Sequence, residues 1–342
     1  MGDWAALFVG INNYPLGATL KHAVTDAVAL SEAFGFDKLP LNTLFLSPSP
    51  NVENLSEDRV YKRQEEITVR KLRNSVKALM SAEQANILFY FSGHANMNWE
   101  TGSGYLKTPD RYSDNEGLSF RDLMSYAKAA AKRGRRVFII LDACNSAGLA
   151  LDDSGNGSLP KNITIMAAAR DFEPAIEKAG MGGVFTQLLI EGLKGGAADQ
   201  AGRITAPSLH TYVDTMLTNL GQRPVLMTNV TRMITLKNVE PRVPISTLSN
   251  LEKLFEKEDS TITLDPEYDP TPREDLPVKY HGTTPDDKKV AIYEQLRHLN
   301  RNGMLVPVGT KHLYNAAFEN KPVELTDLGK MYYKLSKMKN LK

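Results

Sequence analysis

Residues 136–148 read RVFIILDACNSAG, and residues 86–94 read NILFYFSGH. In each, an uninterrupted apolar run rich in β-branched and aromatic residues stops at a small cluster of polar ones, the pattern of a short buried strand that ends in a turn. Four more segments share it: 5–11 (AALFVGI), 42–46, 163–169 and 224–230. Between them lie amphipathic patterns with apolar residues three and four apart, at 21–36, 68–81, 119–132, 184–194 and 205–220, with Ser119 and Thr205 where N-caps belong. Strands and helices that alternate in this way, with connections too long for hairpins, predict an α/β domain. Its centre is a mostly parallel six-stranded sheet with helices on both faces.

The polar ends of the first two strands carry the chemistry. In an open α/β sheet the functional crevice lies at the carboxyl ends of the strands, so adjacent parallel strands would present His94 and Cys144 on one rim. A thiol with a pKa of about 8.5 is only slightly ionised at neutral pH. A neighbouring imidazole takes its proton and later delivers it to a leaving amine. Asp142 stands two residues before Cys144, on the same side of an extended strand. A carboxylate there favours a cationic side chain beside the thiol.

His94 precedes Cys144 by 50 residues, the offset that accompanies the catalytic cysteine of caspases. Ser92-Gly-His94 and Asp142-Ala-Cys144-Asn-Ser146 resemble the two hallmark motifs of the caspase-like cysteine peptidases, in the bacterial branch close to metacaspases. The likeness runs through Ala6–Ile11, Leu20–Ala27, Gly183–Thr186 and Gln222–Pro224, over roughly residues 1–235. The resemblance implies a caspase-like fold and a cysteine endopeptidase with His94 as base and Cys144 as nucleophile. It also implies an oxyanion hole made by the backbone N–H groups of Ala95 and Cys144. Asp26 matches the second acidic pocket residue of metacaspases. Together with Asp142 it implies cleavage after Arg or Lys and rejection of an acidic residue. Ser92 is placed beside that pocket, where its hydroxyl either bonds within the site or simply ends the strand. Two positions depart from the family pattern: Ala95 replaces a glycine, and Ala147 lengthens the turn after the nucleophile by one residue.

The composition fits such a protein. Of 342 residues 42% are hydrophobic and 24% charged, which excludes fibrous and wholly disordered chains. Lys and Arg total 41 against 40 Asp and Glu, so overall charge argues for no polyanionic partner. The apolar stretch near the start is too short for a signal or a membrane span, so a cytoplasmic protein with no membrane association is expected. A single cysteine excludes an internal disulfide and a multi-cysteine zinc site. The histidines are scattered without ligand spacing and no acidic loop has calcium-binding order, so neither metal nor cofactor is expected.

The pattern changes after residue 238. Residues 239–287 are rich in proline and acids and read as an extended linker, interrupted by one short helix near 249–257 in which Ser249 and Glu252 have capping-box spacing. Residues 288–342 form a compact pattern: a helix over 290–303, a short strand over 304–309, a loop, and a last helix opened by Leu325-Thr-Asp-Leu-Gly329. Eleven Lys and Arg against four acids make this segment basic. It resembles the small winged-helix modules attached to bacterial caspase-like effectors. Contact with a regulatory protein is the expected role, with nucleic-acid binding as the second reading. Lys161, the one basic residue of the Gly/Ser-rich loop 152–161, is a candidate self-cleavage point. The expectation is a regulated bacterial effector in defence or programmed cell death that cleaves protein substrates. The alternatives are a catalytically silent scaffold of the same fold, or a nucleic-acid-binding regulator.

Overall fold

The computed structural model describes residues 3–15, 19–35, 42–46, 62–64, 66–98, 103–110, 117–143, 159–168, 177–178, 182–218, 223–275 and 278–338. These divide into two compact units, one of residues up to 198 together with 204–239, the other of 199–203 and 240–342.

The first unit is built on a sheet of β1 (Trp4–Gly10), β2 (Asn42–Leu46), β3 (Lys62–Gln64), β4 (Asn86–Ser92), β5 (Arg136–Asp142), β6 (Ile163–Ala167) and β7 (Val225–Asn229). Its order is β7-β6-β5-β4-β1-β2-β3. All pairings are parallel except that of β7 with β6. All six expected strands are present; the sheet has a seventh, β3. Its Lys-Arg-Gln sequence has no apolar residue, so an edge strand of three residues carries no hydropathy signal.

Alternation sorts the central strands cleanly. Trp4, Ala6, Phe8, Leu88, Tyr90, Phe138 and Ile140 face one core, whereas Ala5, Leu7, Val9, Phe89, Phe91, Ile139 and Leu141 face the other. The first core is closed by α1 (Ala23–Phe34), α4 (Val184–Glu191) and α5 (Ala206–Leu217), the second by α2 (Val69–Met80) and α3 (Phe120–Lys132). Ser119 and Thr205 cap their helices as expected, accepting from the N–H groups of Asp122 and Ser208. Helix α1 stops at Gly35, whose φ of 76° is open to glycine at little cost. After α4 the chain makes a π-helical turn over Gly192–Gly196.

The second unit corrects the linker expectation. The described residues of 240–287 are folded: α6 (Ile245–Ser249), α7 (Leu251–Leu254) and β8 (Thr261–Thr263) place Val243, Leu248, Leu251, Phe255 and Leu264 in one buried cluster. The same cluster takes Tyr293, Leu296 and Leu299 of α8 (Asp287–Arg301), Leu313 of α9 (Leu313–Phe318), and Tyr332 and Tyr333 of α10 (Asp327–Lys337). Pro244 stands at the N-cap of α6, so Ser249 closes that helix rather than capping the next. The segment expected to be a loop before α10 holds α9 and the strand β10 (Pro322–Leu325), which pairs with β8 on one side and β9 (Leu305–Pro307) on the other. Thr326 caps α10 by accepting the Gly329 N–H at 3.2 Å. Among the described residues no helix is long and apolar enough to cross a membrane.

Candidate active site

Register brings the ends of three strands level. Gly10 lies opposite Ser92, and Ser92 opposite Asp142. The Ile11 N–H donates to the Ser92 carbonyl at 3.0 Å, tying β1 to β4 at the rim. His94 follows Ser92 by two residues, as Cys144 follows Asp142. Cys144 itself, Ala147, and loop residues 151–158 lie outside the described residues.

Tyr14 holds the His94 segment. The Tyr14 hydroxyl accepts the His94 backbone N–H at 2.9 Å, and the two rings lie 4.7 Å apart at 53°. A Cβ on Gly93 would fall 2.4 Å from that hydroxyl and 2.9 Å from the Phe91 ring, so only glycine lets Tyr14 come this close. The His94 carbonyl accepts the Lys107 N–H at 2.9 Å, and Ala95 opens a small antiparallel sheet of Ala95–Asn98, Ser103–Leu106 and Leu118–Ser119. The only described non-glycine residues with positive φ are Asn162 and Asn320. The alanine at 95 therefore brings no left-handed strain into the peptide expected to bind the oxyanion.

The structure brings the two predicted acids together. Asp26, in the first turn of α1, and Asp142, at the end of β5, are 3% and 8% exposed. They converge on Gly183 at the start of α4, where a Cβ would lie 2.6 Å from Asp142 Oδ2 and 3.3 Å from Asp26 Oδ2. Asp26 accepts the Gly183 N–H at 2.9 Å and the Gln187 amide at 3.1 Å. Asp142 accepts the Thr186 hydroxyl at 2.5 Å.

Behind Asp142 runs a buried chain. The hydroxyls of Tyr90 and Thr186 are 2.7 Å apart. Because Thr186 gives its one hydroxyl proton to Asp142, Tyr90 must be the donor to Thr186. Ser92, 4% exposed, lies on the Tyr90 face of β4, and its hydroxyl offsets a small part of the rise that burial imposes on Tyr90. Burial, reinforced by the charges of Asp142 and Asp26, pushes the Tyr90 hydroxyl well above its usual value near 10. The rim is thus a low-dielectric region of negative potential in which Tyr90 remains a donor. Lys161 is exposed, at the turn that enters β6.

Nothing in the sequence gives Tyr14, Tyr90 or Gln187 a mark of its own. Tyr90 reads there as one more aromatic of a buried strand, and only Thr186, within the Gly183–Thr186 match, carried any signal.

A family model described as a caspase domain matches residues 4–235. Among solved structures the chain is similar to a crystal structure of caspase-1 from Spodoptera frugiperda, with 13% identity and a TM-score of 0.49, over 70% of this chain and 91% of that one. No curated protein sequence matches.

Proposed function

The chain belongs to the caspase-domain family, and from that premise we propose that it is a cysteine endopeptidase that cleaves proteins after Arg or Lys. The observation that carries the specificity is the convergence of Asp26 and Asp142 on Gly183, both buried, at the rim where the His94 segment begins. Two carboxylates in low dielectric create a strong demand for a cation. An arginine or lysine side chain entering between them meets it, and an aspartate is repelled.

In this reading His94 removes the Cys144 thiol proton and the thiolate attacks the scissile carbonyl carbon. Backbone N–H groups of Ala95 and Cys144 hold the resulting oxyanion. Collapse breaks the C–N bond, the amine leaves with the proton from His94, and a thioester remains. Water, deprotonated by His94, then attacks the thioester and regenerates the Cys144 thiol. The level ends of β4 and β5 support this assignment, since each reactive residue stands two positions past a register-paired residue. The second unit has its own core and lies, apart from residues 199–203, beyond the family match, which suits a docking element for a protein regulator. The exposure of Lys161 suits self-cleavage there.

The test is hydrolysis of paired fluorogenic peptides ending in Arg and in Asp by wild type and Cys144→Ala. Turnover of the Arg peptide alone, lost in the variant, is expected; equal or preferential cleavage after Asp would overturn the pocket. Should both peptides remain intact, an arginyl ketone separates two cases. Covalent labelling of Cys144 means a formed site awaiting activation, and absence of labelling means a scaffold.

A further inference from the structure

A cavity of about 360 Å³ in the second unit has no part in the chemistry above. Its lining includes Asp269, Arg297, Arg301, His312 and Tyr314, and its volume is at the lower end of those that hold small ligands.

The charges in it are arranged in two layers. Asp269, 3% exposed, accepts the Thr271 N–H at 2.9 Å and bonds the hydroxyl of Tyr293, which is itself 3% exposed. Its carboxylate is therefore engaged with internal donors, which blunts its opposition to an entering anion. The cations stand further out. Arg297 and Arg301 are four residues apart on α8 and share one face. Arg297 donates to Glu294 at 2.6 Å. Among the described residues no carboxylate lies within ion-pair distance of Arg301, so its five N–H donors are left for a ligand. His312, the residue before α9, lines the same cavity. Tyr314, 45% exposed, is braced against Phe318, with the ring centroids 4.8 Å apart.

We infer that this cavity binds a small phosphorylated ligand with a flat ring, of the nucleoside monophosphate class, with Arg301 and His312 on the phosphate and Tyr314 against the ring. Arg301 and His312 together supply more N–H donors than the two oxygens of a carboxylate use, whereas a phosphate presents three oxygens to a fork such as Arg301. A braced, half-exposed tyrosine offers a stacking surface at little entropic cost. This inference is independent of the peptidase reading.

The test is calorimetric titration of the full chain with adenosine 5′-monophosphate, with inorganic phosphate and adenosine as its two halves, and with a short single-stranded oligonucleotide. Saturable binding of the nucleotide is expected, with inorganic phosphate weaker. Arg301→Gln should weaken both by about tenfold, as loss of a charge-assisted hydrogen bond does. Tyr314→Ala should weaken the nucleotide and leave inorganic phosphate unchanged. Arg301→Lys, which keeps the charge and loses the fork, should fall between, and each variant should keep the wild-type thermal unfolding curve. No saturable binding up to millimolar nucleotide, or a Kd indifferent to Arg301→Gln, would overturn the inference. Tighter binding of the oligonucleotide than of the mononucleotide would overturn it too, in favour of a strand-binding surface.

Discussion

In the first unit Asp26 and Asp142 lie buried near one point of the rim, bonded to the Gly183 N–H, the Gln187 amide and the Thr186 hydroxyl. In the second, apart from the buried Asp269, many ionised side chains meet opposite charges at the surface: Lys289 with Asp265 and Glu267, Lys330 with Asp259, Lys334 with Glu258. The first arrangement raises the cost of folding, because neutral donors offset only part of the desolvation of a carboxylate. The second costs and gains little, since water screens it. On the proposed reading, the expensive arrangement of Asp26 in α1 and Asp142 at the end of β5 puts charge where a substrate can use it. The second unit uses its surface charge chiefly to pin helices and turns.

The largest effect should come from the core that the two halves of the second unit share. Phe255→Ala is expected to cost about 3–5 kcal/mol in chemical denaturation, the range for a large aromatic removed from a packed interior. Ser249→Ala should change little, because Ser249 ends α6 instead of capping a helix. If 240–287 were only a tether, Phe255→Ala would be silent as well.

Next in size are the acids of the first unit. Asp142→Asn should lower kcat/KM on an arginyl peptide by about a hundredfold, in keeping with the loss of one partner from a desolvated charge pair. Thr186→Val should cost about tenfold through the lost hydrogen bond to a charged group. That loss should fall mainly in KM, and Thr186→Ser should restore it. A kcat loss with KM unchanged would mean that Thr186 serves the reacting atoms and not the pocket.

How much of this was legible in the sequence depends on where the partners of each residue lie. The six expected strands were readable because burial on both faces leaves long apolar runs such as Val137–Leu141. The three polar residues of β3 leave no such mark. The 240–287 segment misleads because prolines read as breakers, yet Pro266 is the first residue of a helical turn, where proline is favoured, and Pro244 immediately precedes α6. The fold class and the positions of His94 and Asp142 followed from strand ends, and that of Asp26 from the family likeness alone. The Tyr90–Thr186–Asp142 chain joins residues 96 and 44 apart, and Asp26 meets Gly183 across 157. Nothing local announces pairings of that length.

A smaller effect is read out by pH. The Tyr90 hydroxyl is held well above its unfolded value near 10. The folded state therefore keeps a proton that the unfolded chain releases, and stability that is complete below pH 10 is lost as pH rises toward the folded value. Denaturation midpoints of wild type should fall on going from pH 9 to pH 11. Tyr90→Phe, less stable by about 1 kcal/mol at neutral pH for the missing hydrogen bond, should fall less steeply over the same interval. Tyr268, Tyr293 and Tyr332 are also raised by burial and add a common slope in both proteins, so the difference between the two curves isolates Tyr90.

The smallest effect expected is at the surface of the second unit. The hydrogen bond from Lys330 holds the Asp259 carboxyl below its usual value. A depressed carboxylate supports the fold above its unfolded value near 4 and ceases to do so as pH falls through the folded one. Both groups are in water, however, and a pair of that kind contributes little once salt is present. Lys330→Ala should leave the denaturation midpoint at pH 7 in physiological salt where it is in wild type, and any difference should show only at low ionic strength. A loss comparable to that of Thr186→Val on the pocket would mean that the surface pair bears on the core beneath α10. The contrast between an expensive rim and an inexpensive surface would then no longer hold.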